Sequence, residues 1–274
     1  QITPVVGADP SSLGVLNLRG QVIPVFDLPA IVGCKPETGL NILLVTEYAR
    51  TVQAFAVESV EDIARLDWTQ VVPAESSGSV KSLVTSFARM KDEATGEQRL
   101  AQVLDVEAIV NMVTPEKERP SVAGKNIGAK VKMKSNSIVL AADDSFVARA
   151  LIEQTLKELE APFEIVKSGK EAWDRLNALA DQAASEGGSV YEKVGMVLTD
   201  LEMPEMDGFT LTSQIKQSSR LSQLPVLIHS SLSGTTNEDL AQKVGANGYV
   251  SKFQPAELAY AIREALAKNP MMAE

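Results

Sequence analysis

One cysteine, one histidine and two tryptophans stand in a chain of 274 residues, and aromatic side chains make up only 5% of it. A lone Cys34 excludes an internal disulfide framework and any cysteine-based zinc site, and it fits a reducing compartment. Trp68 and Trp173 are isolated aromatics, not a stacking platform for bases. No run of 18 apolar residues occurs, and no basic, apolar and small-residue leader is present, so nothing argues for a membrane span or for export. Positive charge is also scarce: 26 basic residues face 36 acidic ones, for a net charge of −10. The deficit is spread unevenly, with −6 over residues 1–119, +4 from four lysines over 120–136, and −8 over 137–274. Two acidic bodies repel phosphate backbones, which disfavours general nucleic-acid binding.

What is present is soluble and globular in composition, with 45% hydrophobic and 23% charged residues and a mean hydropathy near zero. At roughly 150 residues per domain, about two domains are expected, each able to bury its own core. The chain opens on Gln1 within what reads as a turn, and an amino-terminal piece is expected to precede it.

The first half reads as short strands. Leu13 to Leu18 and Gln21 to Val25 flank Arg19-Gly20, and Ile42 to Thr46 and Val52 to Val57 flank Glu47 to Thr51, each pair a hairpin signal. An apolar run from Leu83 to Met90 and a strand from Arg99 to Leu104 enclose a polar turn containing Gly96. Leu16, Leu18, Val22 and Val25 are expected to hold the core. Helix is scarce, with Asp105 to Met112 the one short candidate. Short strands with turn signals between them suggest a small barrel or sandwich.

From Thr114 to Asn136, proline, glycine and lysine punctuate and hydrophobic periodicity fades, which reads as a solvated tether between two acidic bodies. Beyond it, strand and helix alternate. Ser137 to Ala142 is an apolar strand, and Ala148, Ile152, Leu156 and Leu159 form a helical stripe. Strands at Phe163 to Val166, Val194 to Thr199, Val226 to Ser230 and Tyr249 to Ser251 follow. Helices are expected around Lys170 to Ala180, Phe209 to Gln217 and Pro255 to Lys268. Five strands alternating with helices imply a parallel, doubly wound α/β sheet, whose ligands bind at the carboxyl ends of the strands.

Those ends carry Asp143 and Asp144, Asp200, Ser230 and Lys252. Three clustered carboxylates repel one another, so the site needs a hard cation, Lys252, or both, and Mg²⁺ is the expected ion. A carboxylate beside a divalent metal, an ammonium and a hydroxyl suits phosphoryl acceptance: the cations neutralise the transferring group while the acid oxygen attacks in line. His229, directly before Ser230 in an apolar strand, reads as a packed residue and not a base. Met203-Pro204 and Met206 read as loop packing. Asp200-Leu-Glu-Met-Pro-Glu-Met-Asp-Gly lacks the acidic spacing of a calcium-binding EF-hand loop.

With those residues in view, 137–268 resembles a response-regulator receiver domain. The resemblance is carried by Val139-Leu-Ala-Ala-Asp143-Asp144-Ser145, Val197-Leu-Thr-Asp200-Leu-Glu-Met203-Pro204-Glu-Met-Asp207-Gly208, Pro225-Val-Leu-Ile-His-Ser230-Ser231 and Gly245-Ala-Asn-Gly-Tyr249-Val-Ser-Lys252. It implies Asp200 as the phosphorylated residue, Asp143 and Asp144 as the acidic metal pair, and the backbone carbonyl of Glu202 as a further metal ligand. It also implies Ser230 and Tyr249 as switch residues and Lys252 as the site lysine. The family usually has proline after that lysine, where this chain has Phe253. The first half resembles the CheW-like adaptor domain through Leu13-Gly-Val-Leu-Asn17-Leu18-Arg19-Gly20-Gln21-Val-Ile-Pro24-Val-Phe-Asp27-Leu28, with the family's opening strands missing at the amino end.

A CheW-like domain over 1–114, a linker over 115–136 and a receiver over 137–272 is the architecture of the CheV family. The resemblance implies a cytoplasmic chemotaxis adaptor, associated with receptor arrays, that couples the histidine kinase CheA to chemoreceptor tips and is regulated by phosphorylation at Asp200. Arg19, at a hairpin tip, is a candidate partner-binding residue. In the alternatives, the receiver is mainly a phosphate sink for CheA, or the chain is an aspartyl-phosphate phosphotransfer enzyme. No substrate pocket or positioned acid supports turnover, so catalysis is expected to stop at self-phosphorylation and slow self-hydrolysis. An acidic charge and the absence of a helix-turn-helix unit after Lys268 set transcriptional regulation aside.

Overall fold

Arg19 and Gly20 both take positive φ, 52° and 88°, the conformation of a two-residue turn whose twist matches paired strands. The Asn17 carboxamide oxygen accepts the Gly20 N–H at 3.0 Å, and Leu18 pairs with Gln21 across the turn. The computed structural model describes residues 1–48, 51–74, 83–91, 96–115, 119, 127–232 and 234–271, with Trp68 described by its backbone alone. Their contacts divide the chain into two compact units, Gln1–Arg65 with Asp105–Arg119, and Leu66–Leu104 with Pro120–Glu274.

The first unit is built on a five-stranded sheet of β1 (Ile2–Thr3), β2 (Ser12–Leu18), β3 (Gln21–Asp27), β4 (Ile42–Tyr48) and β5 (Thr51–Val57), in the order β1-β2-β3-β5-β4. All its pairs are antiparallel except the parallel pair β3 with β5. The opening residues are therefore a strand, not the expected turn. Gly14 makes that possible: at φ +122, a Cβ there would lie 2.1 Å from the Thr3 carbonyl oxygen. The hairpin's core assignment needs a second correction. Ile23 and Val25 are buried and Leu16 packs against them, but Val22 is 63% and Leu18 37% exposed. Side chains alternate along a strand, so Val22, opposite Asn17, faces outward, while Leu18 lies at the tip beyond the core. A helix the sequence reading missed, α1 (Leu28–Val32), follows β3; at five residues it shows no periodicity, and its signals are the Asp27 cap and Gly33 at φ 78. The expected short helix forms as α2 (Val106–Val113), capped by the Asp105 carboxylate on the Ala108 N–H at 2.9 Å.

In the second unit, β6 (Val71–Pro73), β7 (Val84–Lys91) and β8 (Gln98–Leu104) form a three-stranded antiparallel sheet. Part of the turn expected between β7 and β8, residues 92–95, lies outside the described residues. In the remainder strand and helix alternate, with α5 and α7 added to the helices expected: β9 (Ile138–Ala142), α3 (Phe146–Glu158), β10 (Phe163–Val166), α4 (Gly169–Ser185), α5 (Val190–Lys193), β11 (Val194–Thr199), α6 (Gly208–Gln217), β12 (Val226–Ser230), α7 (Thr235–Lys243), β13 (Gly248–Ser251) and α8 (Pro255–Leu266). The five strands are all parallel, in the order β10-β9-β11-β12-β13. The apolar runs of the three central strands, β9, β11 and β12, follow from burial on both faces. One face packs Val139, Ala141, Met196, Leu198 and Leu227 against α3 and α8, and the other packs Leu140, Val197 and Val226 against α4 and α6.

The tether expected over 115–136 is not solvated throughout. Residues 120–126 lie outside the described residues, but Ile127 is buried, and Val131 and Met133 pack against the core cluster of α3 and α8. Backbone hydrogen bonds and the apolar members of an alternating Val-Lys-Met-Lys run outweigh the lysines between them, whose charged ends stay in water.

Candidate functional site

The strand order reverses between β9 and β11, and ligands in such sheets bind in the crevice at that point, beyond the carboxyl ends of the strands. Asp143 and Asp144 follow β9, Asp200 follows β11, Ser230 ends β12, and Lys252 follows β13. One carboxylate oxygen from each of Asp143, Asp144 and Asp200 lies within 4.8 Å of the others. Lys252 enters this cluster with its side chain fully buried; Nζ is 2.8 Å from Asp143 Oδ2 and 2.9 Å from Asp200 Oδ2. An ammonium in that position offsets part of the repulsion among the acids.

Local chemistry fixes each group. The second oxygen of Asp143 accepts the Ser145 N–H at 2.9 Å, and Ser145 caps α3 by accepting the Ala148 N–H at 3.4 Å. Asp200 Oδ1 accepts the Leu201 N–H at 2.6 Å. The loop after Asp200 folds back tightly, because a Cβ on Gly208 would lie 2.2 Å from the Asp200 carbonyl oxygen. Asp207 caps α6 through the Thr210 N–H at 2.8 Å and is not part of the acidic cluster. Met203 and Met206 are buried in the core, so the expected loop packing holds. Glu202 lies two residues past Asp200 with an exposed side chain. Phe253 takes φ +63, the left-handed region that an aromatic residue seldom adopts, and packs against the core beside Val250.

Ser230 is buried, and its hydroxyl oxygen accepts the Leu232 N–H at 3.1 Å. The Tyr249 hydroxyl donates to the Leu232 carbonyl at 2.7 Å, so both side chains fasten the same residue. Burial raises the Tyr249 hydroxyl above its ordinary value; the charges of Asp200, Glu238 and Glu202 add to this, and a hydrogen bond with Ser230 opposes it. The group therefore stays protonated and able to donate. His229 is buried, neither ring nitrogen has a hydrogen-bond partner among the described residues, and burial, then the Lys252 charge, lower its pKa well below 6.5. That is a packed neutral imidazole, as expected. Arg19 stands in the other unit, exposed at its hairpin tip.

Two supporting residues escaped the sequence reading. Arg149 on α3 donates to the Asp143 carbonyl at 2.8 Å, and the Thr199 hydroxyl donates to the Asp200 carbonyl at 2.9 Å. Neither carries a local signal, since each acts on a backbone oxygen. Three hard carboxylate oxygens are a donor set suited to Mg²⁺, and receiver domains bind Mg²⁺ at such an acidic site. The arrangement can therefore hold a cation and leave a carboxylate oxygen beside an ammonium, which is what phosphoryl acceptance requires.

Comparison with known proteins agrees with both halves. Residues 1–114 match the model of the CheW-like domain, and residues 139–263 match that of the response regulator receiver domain. The chain is 28% identical to chemotaxis protein CheV2 of Helicobacter pylori, over 97% of this chain and 85% of that protein. It is 31% identical to chemotaxis protein CheY1 of the same organism, over 48% of this chain and 98% of that protein. Among solved structures, it is similar to the receiver domain of sensor histidine kinase PA1611 from Pseudomonas aeruginosa PAO1, described with a magnesium ion in its active site cleft. That match has 20% identity and a TM-score of 0.40, covering 48% of this chain and 99% of that one. In class, then, this is a two-domain signalling protein that joins a chemotaxis adaptor fold to a response-regulator receiver. The chain belongs to the CheV family. No helix among the described residues is long and apolar enough to cross a membrane.

Proposed function

We propose that the CheW-like half ties the histidine kinase CheA to the cytoplasmic tips of chemoreceptors, and that CheA phosphorylates the receiver at Asp200 and so alters the coupling. The observation that carries this is the convergence of Asp143, Asp144 and Asp200 on a fully buried Lys252. Asp143 and Asp144 would hold Mg²⁺ together with Asp200 and the Glu202 carbonyl. When bound, the ion supplies positive charge that balances the transferring group. The chain's own residues do the rest. Lys252, held between Asp143 and Asp200, presents its ammonium to the incoming phosphoryl oxygens. An Asp200 oxygen attacks phosphorus in line, the O–P bond forms as the P–N bond of the donor phosphohistidine breaks, and the imidazole leaves with the electron pair.

Phosphorylation replaces the single negative charge of the Asp200 carboxylate by about 1.5 to 2 on the phosphoryl group, a net gain of up to about one charge. A phosphoryl oxygen accepts from the Ser230 hydroxyl, which now accepts from Leu232, and Tyr249 shares that anchor through the Leu232 carbonyl. The loop after β12 is therefore the two-state element that the charge biases. Arg19 is offered as a contact to kinase or receptor; Arg19→Glu should leave folding intact and weaken one of those pull-downs.

The decisive experiment mixes labelled phospho-CheA with the full chain. Transfer of label to the wild type, abolished by Asp200→Asn, supports the reading, and no transfer overturns it. Beryllofluoride with Mg²⁺ should then change the affinity for receptor tip or kinase. Equal affinity at proven occupancy would make the receiver a phosphate sink for CheA.

A further inference from the structure

Residues 127–133 lie just before the receiver's first strand, and five separate features fasten them to it. Ile127 is buried in the cluster formed by α3 and α8, with Val131 and Met133 packed against the same cluster. Arg263, on the last turn of α8, donates to the Ile127 carbonyl at 2.7 Å and to the Ala129 carbonyl at 3.2 Å. Between them, Gly128 takes φ +84, and a Cβ there would lie 2.7 Å from the Arg263 guanidinium. The Val131 N–H donates to the Leu159 carbonyl at 3.0 Å, beyond the end of α3. Lys130 pairs with Glu160, itself at φ +54. A tether that served only as a spacer would need none of these.

The apolar cluster that receives this segment also contains Val250 and packs Phe253, the two residues that bracket the Lys252-containing turn. Lys252 is the residue held directly by Asp143 and Asp200. Phe253 occupies a backbone conformation disfavoured for its type, so it has a more relaxed alternative available when the surrounding contacts change. We propose that residues 127–133 are a strap whose docking on α8 is coupled to the state of the acidic site through the Val250–Phe253 turn, so that occupancy of Asp200 loosens it. The inference rests on the function proposed above. It names the segment that carries the signal out of the receiver, on the side of the chain that leads to the adaptor. Close packing makes such a coupling discrete, because the cluster cannot deform continuously to absorb a shifted Phe253.

Coupling is reciprocal: whatever factor site occupancy contributes to strap release, strap release must contribute to site affinity. Hydrogen exchange of the Val131 amide in the full chain reads the first, and titration of beryllofluoride with Mg²⁺, followed by its bound ¹⁹F resonance, reads the second. Saturation with beryllofluoride should speed exchange at Val131 by about tenfold, within the usual range of coupling factors. Arg263→Ala, which removes both carbonyl contacts, should speed exchange without ligand and tighten beryllofluoride binding by a similar factor. Gly128→Ala opens the strap from outside the receiver core, so it serves where Arg263→Ala fails to fold. A bound ¹⁹F resonance with unchanged Val131 exchange, or an opened strap with unchanged beryllofluoride affinity, overturns the coupling while leaving phosphorylation at Asp200 intact. No bound resonance at all in the wild type overturns the phosphorylation reading first and the strap with it.

Discussion

Replacing Lys252 by Met tests the electrostatics on which the site depends. The wild-type ammonium sits 2.8 Å and 2.9 Å from two carboxylates, with its own side chain out of contact with water. At an effective dielectric of about 20, each contact is worth about 6 kcal/mol of gross attraction, and desolvation of the ions offsets most of it. The variant loses the attraction while its carboxylates remain buried together, the circumstance in which removing one partner costs about 3–5 kcal/mol. A receiver with a total stability of about 5–15 kcal/mol survives that loss but becomes marginal. With a urea slope of about 2 kcal/mol/M, the midpoint should fall by about 1.5–2.5 M in EDTA. Mg²⁺ should return more stability to the variant than it adds to the wild type, since the cation then answers the whole acidic charge. Urea unfolding followed by circular dichroism, with and without Mg²⁺, measures both numbers. A variant as stable as wild type in EDTA would mean that the three acids do not need the lysine, and the electrostatic account would be wrong.

His229 is the only histidine and is held neutral by burial. Its folded pKa is depressed, so below about pH 6.5 the unfolded chain takes up a proton that the folded chain refuses, and stability falls as pH falls. The wild type should lose on the order of 1 kcal/mol more than His229→Leu between pH 7.5 and 5.5; parallel melting curves for the two would refute this. Gly208→Ala places a Cβ 2.2 Å from the Asp200 carbonyl oxygen, and should cost about 2–3 kcal/mol in thermal unfolding and slow phosphoryl transfer. An unaltered Tm would show that the loop has room to move. In the adaptor half, Val22→Ser should stay within about 0.5 kcal/mol of wild type while Ile23→Ala costs about 2–4 kcal/mol. Equal losses in chemical denaturation would mean that the strand's faces are assigned the wrong way round.

How far the residues alone reach is clearest in the receiver. Its strands β11 and β12 fall where the apolar runs begin and end, because a strand covered on both faces is mostly apolar, and that constraint is written in the local sequence. The site residues are readable for a related reason: parallel topology sends every strand's carboxyl end to one edge, so Asp143, Asp144, Asp200, Ser230 and Lys252 are neighbours as soon as the alternation of strand and helix is recognised. Helix α7 had no such signal. Thr235 to Lys243 is polar, and only Ala241 is buried, so its periodicity is invisible without the sheet it covers.

The tertiary structure decided matters of direction and partnership. Val22 and Ile23 are equally apolar, and only the register with Asn17 and Leu16 says which points inward. Val131 and Met133 alternate with lysines at strand spacing, yet whether that edge meets solvent or a core depends on the end of α3 and on Arg263, 134 residues or more away in sequence from the carbonyls it holds. Arg149 and Thr199 act on backbone oxygens, which every residue possesses, so no residue type marks the target. Composition and periodicity thus determined the buried strands of the receiver, its amphipathic helices and which acids meet, because those follow from burial and chain direction. The contacts that aim Lys252, dock the strap and turn Val22 to water depend on distances between segments remote in sequence, and folding alone sets those.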